Sequence, residues 1–246
     1  ARPKDPNLRV VLADFLASVG RVKDAIQEHK NILREKADFL PAQKRLAGLY
    51  LSTKDYEKAE EQLKELLKER PDDPEGRLLQ GRLLLEKRKF PEAIEEFGRV
   101  LKAEPALAAA HYYLGLAHLG KGDAIPAKGS LLEALKYQPN LLEARLVLAG
   151  LHLREKAPEL ALEECRRVLE AQPSNIRAHF LKGDALISQG DVVGATASYQ
   201  KVKELAPKHP LGYFRLGVIY RAQRKYPEAL QELEEALKIN PNLIDV

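Results

Sequence analysis

The sequence predicts an all-α protein, a stack of seven two-helix hairpins, each 34 residues long. Three observations predict it. Pro71, Pro105, Pro139, Pro173, Pro207 and Pro241 follow one another at intervals of 34 residues. Two places of that period accept only small side chains. Between them, bulky apolar residues recur at three- and four-residue steps, the period of an amphipathic helix.

Counting back from the prolines gives seven windows: 6–39, 40–73, 74–107, 108–141, 142–175, 176–209 and 210–243. Residues 1–5 read as a leader into the array and 244–246 as the start of a truncated further repeat. No insertion or deletion breaks the phase. The eighth place of each window holds Ala13, Ala47, Gly81, Gly115, Ala149, Gly183 or Gly217, and the twentieth is always Ala. Small residues at a fixed phase mark a close approach of two helices, because interiors are packed too tightly to take a larger group there. Each window is therefore expected to hold two helices of about 14 residues, roughly 21 Å long.

The turn between them carries its own signals. Gly20, Gly122 and Gly190 stand where the first helix must end in a left-handed residue. Lys54, Arg88, Lys156 and Arg224 take that place elsewhere, at an expected cost of about 1 kcal/mol each. Pro91, Pro126, Pro158 and Pro227 fall in the first turn of the second helix, where a missing N–H costs nothing. The period proline then stops that helix. The first window is the least regular, with His29 at a bulky apolar place and Ala37 where the proline should be.

The pattern L-G/A…Y/L…G…Y/F…A…F/L…A…P resembles the tetratricopeptide repeat over residues 6–243, most clearly in RLAGLYLSTKDYEKAEEQLKELLKERP and RLGVIYRAQRKYPEALQELEEALKINP. The resemblance implies a right-handed α-solenoid that does no chemistry and holds a protein segment on a concave wall of first helices. Wall positions fall at the second, fifth, ninth and twelfth places, which share a helix face. Read here, they give an apolar strip of Leu78, Leu85, Tyr112, Leu116, Leu119, Leu146, Leu153, Phe180, Ile187 and Phe214. Lys44, Arg82, Arg177 and Arg221 frame it, Asp14 and Asp184 oppose them, and Gly48 and Gly150 leave gaps.

Some of these side chains could simply touch neighbouring hairpins. An extended apolar strip nevertheless points to a binding site, and a Leu-rich one favours a peptide or helical segment with an apolar face over an acidic tail. Two specialised roles of the family are not expected. Its chaperone-tail binders hold a carboxylate with Lys and Asn, whereas Lys44 is the only Lys at its phase and no ninth place is Asn. Its sugar-transferase arrays carry Asn at the sixth place, where this chain has none. The rival reading is a non-catalytic region of a larger enzyme or of a bacterial secretion or exopolysaccharide-export machine. AHYYLGLAHLGKGD is similar to segments of long bacterial repeat proteins of envelope export, which leans toward a periplasmic or envelope-associated location and otherwise a cytoplasmic one. The ends of such a stack are expected to allow end-to-end self-association.

No residue set points to catalysis, a metal or a cofactor. GLAHLGKG at 115–122 nearly matches the phosphate-binding pattern GxxxxGK[ST], but Gly122 replaces the hydroxyl residue. The repeat phase also puts the segment inside a first helix, whose N–H groups are already used, rather than after a strand. His29, His111, His118, His152 and His179 occupy packing places, and zinc would need further ligands that no Cys or carboxylate is placed to supply. Cys165, the lone cysteine, reads as a small inert hydrophobe. Carboxylate pairs such as Glu60–Glu61 and Glu234–Glu235 read as solvated faces. The formal charge of +4 is too small to suggest nucleic acid, where a clustered basic stripe is expected. No apolar run nears the roughly 18 residues of a membrane span. The chain has no Met, even at residue 1, which reads as an excised or processed piece.

Overall fold

A computed structural model describes residues 5–243; the first four residues of the leader expected at 1–5 and the start of a further repeat at 244–246 lie outside the described residues. The described residues form helices in strict alternation, with no strand among them. First helices are α1 (Pro6–Ser18), α3 (Leu40–Ser52), α5 (Pro74–Glu86), α7 (Ala108–Lys121), α9 (Leu142–Arg154), α11 (Ile176–Gln189) and α13 (Pro210–Ala222). Second helices are α2 (Val22–Glu35), α4 (Tyr56–Glu69), α6 (Phe90–Ala103), α8 (Ala124–Tyr137), α10 (Pro158–Ala171), α12 (Val192–Leu205) and α14 (Tyr226–Ile239). Each first helix opens at the first place of its window and each second helix at the seventeenth. The described residues fall into two compact units, α1–α8 up to Tyr137 and α9–α14 from Gln138 on.

Local chemistry fixes these ends. Gly20, Gly122 and Gly190 have φ of 81°, 95° and 82°. Lys54, Arg88, Lys156 and Arg224 adopt the same left-handed conformation at 57–61°, so the expected strain is present. The side chains of Asp73, Asn175 and Asp191 accept hydrogen bonds from the N–H groups of Gly76, Ala178 and Gly194, capping α5, α11 and α12. Gly122 also settles the near-match to a phosphate loop. Its N–H bonds back to the last turn of α7, and Gly115 lies buried against Leu131.

Packing within a hairpin is a fit between the eighth place and the twenty-fourth. A Cβ on Gly81 would stand 2.5 Å from the Phe97 ring, one on Gly183 2.5 Å from Tyr199, and one on Gly217 2.6 Å from Leu233. Where the eighth place is Ala13, Ala47 or Ala149, the twenty-fourth is His29, Leu63 or Cys165. Opposite Gly81, Gly115, Gly183 and Gly217 the restriction to small residues is thus the imprint of a large one lying across the hairpin.

Polar contacts repeat too. In α3, α7, α9, α11 and α13 the fourth place reaches the carbonyl six residues before it, that of the period proline or its substitute. Gln43 donates to Ala37, Tyr213 to Pro207, and Arg145 to Pro139, while the Nε2 atoms of His111 and His179 lie 2.8 Å from the carbonyls of Pro105 and Pro173. Where this place is Arg it pairs with a Glu nineteen residues on: Arg9–Glu28 at 2.6 Å, Arg77–Glu96 at 2.8 Å and Arg145–Glu164 at 2.7 Å.

His29 departs from the rule that buried polar groups find partners. It is fully buried, and neither ring nitrogen has a hydrogen-bond partner among the described residues. Asp14 is the nearest carboxylate, 3.9 Å from Nε2. Burial holds its pKa below the ordinary 6.5; Arg45 adds to this and Asp14 and Glu28 oppose it. The unfolded chain therefore takes up this proton first as pH falls. The neutral ring's contribution is complete above pH 6.5 and declines below it, by at most about 1.4 kcal/mol per pH unit. His29→Phe is expected to flatten that part of the profile. Urea midpoints at pH 7.5 and 5.0 check this, and equal acid losses in both proteins would contradict it.

Candidate partner-binding site

In the first unit the wall residues Lys44, Leu78, Arg82, Leu85, Tyr112, Leu116 and Leu119 are neither free nor wholly hidden. The Lys44 ammonium lies 2.8 Å from Asp73 and 3.3 Å from Glu75. Burial disfavours its charge, but hydrogen bonds to both carboxylates outweigh that and raise its pKa. Leu78 and Leu85 are half-buried against the cluster of Ala93, Phe97 and Ala117. The Arg82 guanidinium sits 5.1 Å over the ring of Tyr113, which stacks on Phe97 and lies 5.2 Å from Tyr112. Tyr112, Leu116 and Leu119 are half-buried.

In the second unit Leu146 corrects the expectation. It is only 6% exposed and packs with Val168 and Ala178, which leaves too little surface for a ligand. Leu153 is half-buried against Ala149, Ala161, Cys165 and Ala185. Phe180 forms the centre of a polar-rimmed group. Its ring lies 5.8 Å from Tyr199 and 5.3 Å below the Arg215 guanidinium. Asp184 accepts a 2.7 Å hydrogen bond from the Tyr199 hydroxyl and pairs with Arg215 at 3.1 Å. Burial, followed by that hydrogen bond, raises the Tyr199 pKa. Arg177 is exposed, and Ile187 is 42% exposed. Phe214 and Arg221 border an apolar cavity with Val218, Leu233, Leu237 and Leu243. At about 290 Å³ it is smaller than typical small-molecule sites.

Three sixth-place residues were not singled out from the sequence: Arg45, Tyr113 and Arg215. Each meets the ninth place of the preceding first helix. Asp14 pairs with Arg45 at 3.2 Å, Arg82 covers Tyr113, and Asp184 pairs with Arg215. The signal is complementary chemistry 31 residues apart.

Other reactive groups are spent in packing. Cys165 is fully buried and burial pushes its thiol up to about 12, away from nucleophilic use. Among the described residues no cluster of His, Cys, Asp and Glu could hold a metal ion, and no helix is long and apolar enough to cross a membrane.

Comparison with known proteins gives one family. A tetratricopeptide repeat model matches residues 78–124, 127–176 and 166–210, and two further tetratricopeptide repeat models match 16–83 and 210–243. Among curated proteins, the FK506-binding protein-like protein of Mus musculus is 35% identical over 83 residues, 34% of this chain and 24% of that protein. Peptidyl-prolyl cis-trans isomerase FKBP4 of Bos taurus is 31% identical over 98 residues, 40% of this chain and 20% of that one. The chain thus spans a quarter or less of these relatives. Among solved structures, YrrB, described as a TPR protein with an unusual peptide-binding site, has a TM-score of 0.61 at 22% identity, covering 74% of this chain and 94% of that one. MamA from Desulfovibrio magneticus RS-1 has a TM-score of 0.62 at 21% identity, over 66% and 92% of the two chains. The Cut9–Hcn1 tetramer of the APC/C gives 0.71 at 18%, over 97% and 47%. At these identities the structures show a shared fold.

Proposed function

Since the chain belongs to the tetratricopeptide repeat family, we propose that it is a non-catalytic scaffold, that all seven windows are copies of that repeat, and that its first-helix walls capture a peptide or helical segment of a protein partner. The observation that carries this is the Phe180 group. A half-buried ring is roofed by a guanidinium and fixed by Asp184 and Tyr199, beside the exposed Arg177 and Ile187. Rigid aromatic and Arg side chains next to open apolar surface are the usual composition of an interaction hot spot. Tyr112 with Tyr113 and Arg82 gives the first unit a comparable surface. Asp184 is held by Tyr199 and Arg215, so the exposed charge beside Phe180 is that of Arg177. The segment that fits has an apolar face bordered by acidic residues.

The test is selection of a displayed library of amphipathic peptides on the chain, followed by affinity measurements on Ile187→Glu with Arg177→Ala. Both residues are exposed, so helical content should not change. Selected peptides should lose at least about tenfold in affinity, the effect of roughly 1.4 kcal/mol. A selection that returns nothing, or peptides indifferent to the change, would remove the reading.

A second reading is that the array is the non-catalytic part of a longer enzyme or export machine, with an envelope-associated location as its accompanying proposal. The observation that favours it is that the matched stretch makes up only 24% and 20% of the two FK506-binding relatives.

A further inference from the structure

We propose that the outward face of α1 is a self-association surface that pairs with the same face of a second copy. Leu8, Val11, Leu12, Phe15 and Val19 lie at spacings of three, four, seven and eleven residues and so share one side of the helix. They are between 36% and 65% exposed, and no other described helix leaves as many large apolar side chains in solvent. The helix directs its charges elsewhere. Arg9 pairs with Glu28 and Glu35, and Asp14 with Arg45. The outward stripe is uncharged, so two copies can approach without like-charge repulsion.

The third place of the repeat decides between occupants. Every later first helix has Ala or Gly there: Ala42, Gly76, Ala110, Ala144, Ala178 and Gly212. At Gly76 and Gly212 the preceding second helix comes too close for a larger group. A Cβ on Gly76 would stand 2.5 Å from Leu66 Cδ2, and one on Gly212 would stand 3.2 Å from the backbone nitrogen of Lys203. In α1 this place is Leu8. Seated on a second helix as its successors are, α1 would drive that side chain into the neighbouring backbone, an overpacking conflict. Leu8 therefore argues against the end-to-end stacking expected from the sequence, in which α1 of one copy would follow α14 of another.

Pairing α1 with α1 has no such seat to satisfy. The contact is isologous and closes at two copies. The five side chains offer at most about 500 Å² per copy, or about 1,000 Å² in the pair, the size of a weak, transient interface. The dimer should therefore dissociate on dilution.

Sedimentation velocity on the whole chain over a concentration series tests this, with Phe15→Glu, Val11→Lys and Leu237→Glu as variants. The wild type should move between monomer and dimer with nothing larger. Phe15→Glu and Val11→Lys should remain monomeric with unchanged circular dichroism, and Leu237→Glu, altered at the α14 end, should dimerise as the wild type does. The proposal is overturned by a wild type that stays monomeric at the highest concentration, by undiminished dimers in both α1 variants, or by association lost in Leu237→Glu. Val11→Lys keeps the test decisive should Phe15→Glu fail to fold.

Discussion

Phe97→Ala is expected to destabilise the first unit by about 3–5 kcal/mol, the range for removing a fully buried aromatic ring. Phe97 has no exposed surface and lies across Gly81, with Leu78, Leu85, Ile94 and Tyr113 packed around its cluster. Its loss also strips the stacking partner from Tyr113, and so the support beneath Arg82. The reverse change makes the mechanism specific. Gly81→Ala puts a methyl 2.5 Å from the ring and should cost about 1–3 kcal/mol by overpacking, although Ala is the better helix former. In a Phe97→Leu background that penalty should largely vanish, because the ring edge that meets the methyl is gone. Urea unfolding of the four proteins of this cycle, with amide exchange followed in α5 and α6, checks it. Additive losses would mean that the eighth place is small for another reason.

That cycle bears on what the sequence could disclose. The cadence of Ala and Gly at the eighth place announced a close approach, and helix boundaries follow at once because turn residues recur with it. What lies on the other side was legible in principle: Phe97, Leu131, Tyr199 and Leu233 stand sixteen residues after Gly81, Gly115, Gly183 and Gly217. The wall was harder. A helical period assigns a residue to a face, but exposure depends on what the adjacent hairpin brings. Leu146 and Phe180 share the fifth place, yet Leu146 is closed over by Val168 and Ala178 while Phe180, packed against the cluster of Ala195, Tyr199, Leu216 and Ile219, stays half-buried. Likewise Lys44 reads as a free cation until Asp73 and Glu75 are found on it. Pairings 31 residues apart, such as Asp184–Arg215, emerge only once the stacking of first helices is known.

Arg9→Met should cost about 2–3 kcal/mol, although it removes no apolar volume of note. Arg9 and Glu28 are each only 6% exposed at the side chain and meet at 2.6 Å, with a second hydrogen bond from Arg9 to Glu35 at 2.7 Å. Those bonds, Glu28 first, raise the guanidinium pKa against the pull of burial. Taking away Arg9 removes two charge-assisted hydrogen bonds that help offset the desolvation of the carboxylates they meet. The same reasoning predicts the repair. Arg9→Met combined with Glu28→Leu should recover most of the loss, because a well-packed apolar pair of similar volume is often as stable as the ion pair it replaces. Denaturant titrations of the single and double variants check both halves. A double variant no better than Arg9→Met would mean that Arg9 acts through Glu35 rather than Glu28. If the recovery is seen, the ion pairs repeated at Arg77–Glu96 and Arg145–Glu164 orient second helices on first ones more than they stabilise them.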